Sequence, residues 1–356
     1  IILGSIPLSL VGVVYAQMGP GSPPPEALEA CAGKAVQTQC QMSTPRGEAS
    51  GQCVETPRGQ MACLPEGRRR GNRVGGRHTH TVTQSSGKLN LFPANTDPVT
   101  QSRVAINEQS NYRIIQSNGI SQHKTGAFPN SGNPNRISEQ KHEYRVPLNP
   151  QLADKVTHSR MGGFGIAVNG VMFDPGAAET FETAQDWHYE ALSGAVPLGI
   201  DANHAHVQPT GKYHYHGKPT GLMQKLGVNP SQHSPLIGWA ADGFPIYALY
   251  GYKNGKNAQG GIQKMTSSSR VKSGQRPGGS LPSGNYDGTF VKDYEYIAGS
   301  GTLDECNGRM TVTPEFPQGT YAYFLTDKFP VVPRCFKGTP SQDFARHIPV
   351  MGRRSF

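Results

Sequence analysis

The sequence predicts a mainly β protein: a sandwich- or barrel-like domain with long loops and a short helix, preceded by a small disulfide-rich module. Three observations predict it. The 356 residues include 44 glycines, 29 prolines and 14 tyrosines, a composition that favours short strands joined by turns over long helices. Alternating or β-branched stretches recur with Asn-Gly and Asp-Gly turns between them. Four of the six cysteines crowd the stretch from Cys31 to Cys63. A hydrophobic fraction of 35% against 17% charged residues suits a folded, loop-rich chain and excludes disorder throughout.

Taken in order, the apolar run from Ile1 to Tyr15 ends in Val14-Tyr15-Ala16, with small residues where signal peptidase requires them. Residues 1–16 therefore read as a signal peptide lacking its basic start. About 15 apolar residues are too few to cross a hydrocarbon core that needs about 20, and no other segment is long enough. The expectation is a secreted or periplasmic protein with no membrane span after signal cleavage.

Residues 17–30 follow as a Pro/Gly spacer, and 31–66 as a four-cysteine module with too little apolar material for a core without cross-links. Export favours disulfides, and the gaps between successive cysteines are wider than the Cys-x-x-Cys clips of structural zinc. The simplest partition is two bridges among Cys31, Cys40, Cys53 and Cys63, and a third between Cys306 and Cys335. Residues 67–77 form an Arg/Gly-rich linker. Arg68, Arg69, Arg70, Arg73 and Arg77 supply much of the +9 net charge. In an exported protein such a run reads as solvated linker, so no nucleic-acid partner is expected.

Residues 78–356 show no further composition break or internal repeat and read as the main domain. Strand patterns fall at 103–106, 112–115, 165–168, 244–250 and 320–325. A short helix is expected over Ala177 to Leu192, where Pro175 could start it and Glu179, Glu182 and Asp186 suit its early turns.

The chemistry concentrates in Asp201-Ala-Asn-His-Ala-His-Val-Gln-Pro-Thr-Gly-Lys-Tyr-His-Tyr-His-Gly217. Strand residues two apart share a face and stand about 6.6 Å apart along the chain. If Pro209 to Lys212 is a turn, a hairpin pairs 206 with 214 and 204 with 216. All four imidazoles then share one face, while Tyr213 and Tyr215 project into packing on the other. Several neutral imidazoles on one patch suit copper or zinc. The metal candidates are His206, His214, His216, His204 and, from a turn-rich loop, His123.

Asp201 and Asp242 are candidate partners for the histidines or a general base, with Glu190 in the same class. His188 and His233 read more simply as packing or surface residues, and His78 with His80 forms a third His-x-His pair beside the linker.

Tyr213-His214-Tyr215-His216, with Ala205-His206 before it and Gly217 after, resembles the signature of the YHYH domain family. The resemblance extends through Ser117-Asn-Gly-Ile120, Phe173-Asp-Pro175, Ser234-Pro-Leu-Ile-Gly238, Asp242-Gly-Phe-Pro-Ile-Tyr247, Asp304-Glu-Cys-Asn-Gly308 and Thr320-Tyr-Ala-Tyr323, covering roughly residues 88–340. It implies an exported, bacterial-type protein and no particular reaction. In the family pattern the place of His204 is commonly Asn, which favours His206, His214 and His216 as the essential three. Gly211 to His216 is also similar to a copper-ligating strand of multicopper oxidases, but no His-Cys-His stretch follows, which excludes such an enzyme.

Two functions compete. One is a metal protein, with or without metal-dependent catalysis. The other is a non-catalytic cell-surface or matrix interaction module whose histidines are structural.

Overall fold

A computed structural model of the chain describes residues 23–44, 47–56, 59–65, 82–159, 162–182 and 184–345. The expected signal peptide, the linker at 67–77, and His78 and His80 lie outside these residues. The chain divides between residues 76 and 77 into two compact units.

In the first unit a five-residue helix, Pro25–Glu29, precedes an antiparallel three-stranded sheet of Gln39–Thr44, Gly47–Glu55 and Met61–Pro65. The helix replaces the end of the expected spacer. Pro25 supplies a preset φ at its first position, and Ala27 is buried in the cysteine cluster. Cys31 pairs with Cys53 and Cys40 with Cys63. All four cysteines are buried, so the cross-links themselves form much of this small core.

The second unit is built around an eight-stranded sheet. Its strands are β1 (Gly165–Ala167), β2 (Met172–Phe173), β3 (Ala205–Val207), β4 (Tyr213–Tyr215), β5 (Leu236–Ala240), β6 (Pro245–Ala248), β7 (Gly308–Thr311) and β8 (Thr320–Leu325). Their spatial order is β3-β4-β2-β1-β5-β6-β8-β7. Two neighbouring pairs run parallel, β4 with β2 and β6 with β8. The central strands are buried on both faces: Ile246 and Tyr323 join the main core, while Tyr247 and Phe324 join a second cluster with Met265. That explains their nearly unbroken apolar sequence.

The expected strands are present. Those near 103–106 and 112–115 become Val104–Gln109 and Tyr112–Ser117, and a third, His142–Pro147, pairs with the latter. The run at 244–250 is interrupted at Leu249, whose φ is +43°, and continues as Tyr250–Asn254.

The expected helix over Ala177 to Leu192 is corrected. Gly176–Phe181 and Ala184–Glu190 form an antiparallel hairpin. Its Phe181, Trp187 and Tyr189 are all buried against Phe290. Aromatic packing onto a distant segment outweighs the helical preference of the local Ala and Glu residues. Among the described residues, the main domain's α-helix is instead Thr220–Lys225, directly after the histidine segment. The third disulfide joins Cys306 to Cys335, 29 residues apart, as the partition of cysteines predicts.

Candidate metal centre

Strands β3 and β4 form the expected hairpin, with His206 directly opposite His214. Its turn is closed by Gln208 N–H donating to the Lys212 carbonyl at 2.9 Å and Gly211 N–H to the Gln208 carbonyl at 2.8 Å. Gly211 adopts φ +84° and a side chain there would collide with Ser138, so glycine meets both a conformational and a steric demand.

His206, His214 and His216 converge. Their ring centroids form a nearly equilateral triangle with sides of 4.7, 4.6 and 4.7 Å, and their planes are mutually inclined by 69°, 74° and 67°. This is a three-bladed propeller of imidazoles. Candidate ligand atoms from all three rings lie within 4.8 Å of one another. His206 Nδ1 donates to the Leu198 carbonyl at 2.9 Å and His214 Nδ1 to the Lys212 carbonyl at 3.3 Å. A carbonyl only accepts, so these contacts place the proton on Nδ1 and leave Nε2 as the ligating nitrogen.

His214 Nε2 and His216 Nε2 stand 3.1 Å apart. Two ligands each about 2.0–2.1 Å from a tetrahedral ion stand about 3.3 Å apart, so the donor set and spacing fit a first-row ion. His214 and His216 are buried and His206 is half-buried. Burial, then the neighbouring His216 and His206, and then Lys212 hold the His214 imidazole well below its ordinary pKa. It is therefore neutral near pH 7, the form that ligates metal.

The opposite face of the hairpin anchors it. Tyr213 and Tyr215 are fully buried. Asp201 Oδ2 accepts from the Tyr213 hydroxyl at 2.7 Å and from Gly126 N–H at 2.8 Å, and Oδ1 accepts from Asn203 N–H at 2.9 Å. Asn169 Nδ2 donates to the Tyr215 hydroxyl at 2.9 Å.

The other sequence candidates are placed elsewhere. The expected sharing of one face by four imidazoles is corrected to three. His204 lies at φ +51°, which turns its ring out of the strand pattern and onto the Lys218 carbonyl, 2.9 Å from Nδ1. Its backbone still pairs with His216. His123 sits on the tyrosine face, with Nε2 2.6 Å from the Tyr215 hydroxyl and Nδ1 2.8 Å from the Lys124 carbonyl. Asp201 supports the hairpin from that same face.

Asp242 accepts from the Tyr323 hydroxyl at 2.6 Å and Gly338 N–H at 2.9 Å, and burial raises its pKa to about 6. Glu190 is buried and pairs with Arg334 at 2.5 Å; burial raises its pKa as well. His188 meets the Ala177 carbonyl at 3.1 Å, and His233 meets the Ser234 carbonyl at 2.7 Å between Tyr247 and Tyr252. Cys31, Cys40 and Cys53 also cluster, but each sulfur is committed to a disulfide.

Sequence reasoning missed the neighbours of the triad. Gln208 and Lys212 share the parity of the histidines on β3 and β4. On β2, Met172 stands beside His214, bringing Met172 and Asp174 to the same face. Lys212 Nζ contacts Met172 Sδ at 3.2 Å, and Gln208 Nε2 donates to Asp174 Oδ2 at 3.2 Å. Parity could have found the first two; the β2–β4 pairing has no local signature.

A β-sheet protein with a three-histidine centre at one end of its sheet is the class that this fold and site define. The chain belongs to the family described as YHYH protein, whose model matches residues 143–338. No curated protein and no solved structure matches it significantly.

Proposed function

We propose that the protein binds a transition ion, zinc or copper, through Nε2 of His206, His214 and His216. The observation that carries this reading is the propeller of three imidazoles, whose candidate ligand atoms lie within 4.8 Å of one another and whose His206 and His214 Nδ1 are held by backbone carbonyls. Preset ring orientations reduce the ordering needed to assemble the site. Imidazole nitrogen suits both ions. When bound, zinc would bring a water near pKa 7 as a nucleophile, whereas copper would permit redox chemistry. Half-buried His206 gives the centre its more accessible side, while His214 and His216 close the other.

We also infer that the protein works outside the cytoplasm. Three disulfides support an oxidising compartment. No helix among the described residues is long and apolar enough to cross a membrane.

The test is metal analysis of protein purified without a histidine tag, alongside the variant His214→Ala with His216→Ala. One equivalent of zinc or copper that disappears in the variant is the expected result. Metal persisting in the variant would place the site elsewhere, and its absence from wild type after equilibration with either ion would favour the structural-histidine module.

A further inference from the structure

Apart from the triad, the main domain carries a half-open cleft of about 570 Å³, within the size range of small-ligand sites. It is assembled from widely separated stretches: residues 190–193, 269–271 and 327–331, closed by His204 and Lys218 from either flank of the histidine hairpin. The approach is close. A side chain on Gly217 would meet His204 Cβ and Leu192 Cδ1 at 2.9 Å, so the inner wall is pressed against the end of the hairpin.

Leu89, Leu192, Val271 and Val331 make an apolar lining, and Tyr294 stacks on Phe329 with ring centroids 3.7 Å apart. Such a lining suits a flat or compact apolar body.

The charges around it are unequal. Lys218, Arg270 and Lys328 line it together with Glu190 and Asp327. Both carboxylates are already neutralised: Glu190 by Arg334, and Asp327 by Lys218 at 2.5 Å and by Lys264. Arg270 pairs with Glu295 at 3.1 Å at an exposed position, where an ion pair is weak and readily exchanged. Lys328 is exposed and forms no salt bridge among the described residues. Positive charge is thus left over at the exposed Arg270 and Lys328, beside the apolar residues of the lining.

We propose that this cleft binds a small organic anion, a carboxylate or a phosphate monoester carried on an apolar body of one or two rings. The apolar part packs against Leu192, Val271 and the Tyr294–Phe329 stack, and the anionic group meets Lys328 and Arg270. None of His206, His214 and His216 lines this cleft.

Isothermal titration of the full chain, kept in chelator so that no ion can capture the ligand, tests this with 2-naphthoate, 2-naphthyl phosphate and the neutral 2-naphthalenemethanol. Saturable one-to-one binding of at least one anion, at least tenfold tighter than the neutral analogue, is expected. The preferred anion distinguishes carboxylate from phosphate. Lys328→Gln with Arg270→Gln should weaken anion binding at least tenfold and leave the alcohol unaffected. Both side chains are exposed, so an unchanged melting temperature checks the fold, and Lys328→Gln alone serves if the pair does not fold. No binding of either anion, equal binding of the alcohol, or unchanged anion affinity in the variants would overturn the proposal.

Discussion

The Tyr213 hydroxyl donates to Asp201 Oδ2 at 2.7 Å on one face of β4, while the adjacent His214 points its ring to the other. The alternation Tyr-His-Tyr-His therefore performs two tasks. Tyrosines at odd positions fix the strand to the core, and histidines at even positions form the propeller, because successive strand residues face opposite ways.

Tyr213→Phe tests that anchoring. It leaves a buried carboxylate oxygen with one donor fewer, which costs roughly 1–3 kcal/mol. A lower melting temperature with the metal stoichiometry retained is expected from thermal unfolding and metal analysis. Loss of metal with full stability would contradict the division of tasks.

His204 and His206 should respond differently to substitution. His204→Asn keeps a residue type that tolerates positive φ and should leave metal affinity within about threefold, since its ring lies outside the propeller. His206→Ala removes a ligand. Its loss should exceed the roughly 10- to 100-fold typical of disturbing a ligand's supporting partner. Competition titration with a chromogenic chelator reads both.

Acid should weaken the metal-free fold between about pH 6.5, the ordinary histidine value, and pH 4. Burial, then Lys212, lowers the His142 pKa to about 4. A depressed histidine pKa means that the unfolded chain binds more protons in this window, so stability falls as pH falls. Asp242, raised to about 6, acts in the opposite sense over part of the range. His142→Gln should therefore flatten the decline of stability measured by urea unfolding across these pH values. An unchanged slope would assign the decline to other groups.

Arg276 is a buried cation of the domain. It bonds Asp293 through Nε at 2.9 Å and Nη2 at 2.6 Å, contacts Asp287, and donates through Nη1 to the Gln84 carbonyl at 2.7 Å. Asp293 is wholly buried. Arg276→Met leaves that carboxylate without its counter-charge and should cost about 3–5 kcal/mol, read as a fall in melting temperature. Arg276→Met with Asp293→Asn should lose less than the sum of the two single variants.

The sequence alone determined what local periodicity and covalent chemistry can encode. The β class, the hairpin that sets His206 against His214, the burial of Tyr213 and Tyr215, and the Cys306–Cys335 bridge all follow from residue alternation, turn residues and cysteine partition. Tertiary structure decided the rest, because those features depend on chain segments far apart in sequence. Phe290 turned the expected helix at 177–192 into a hairpin by burying its aromatics. The Lys218 carbonyl and a left-handed backbone drew His204 away from its neighbours, and Tyr215 engaged His123 from below the sheet. The Leu198 carbonyl that orients His206, and the strand that brings Met172 beside His214, come from partners that no spacing within the histidine segment can specify.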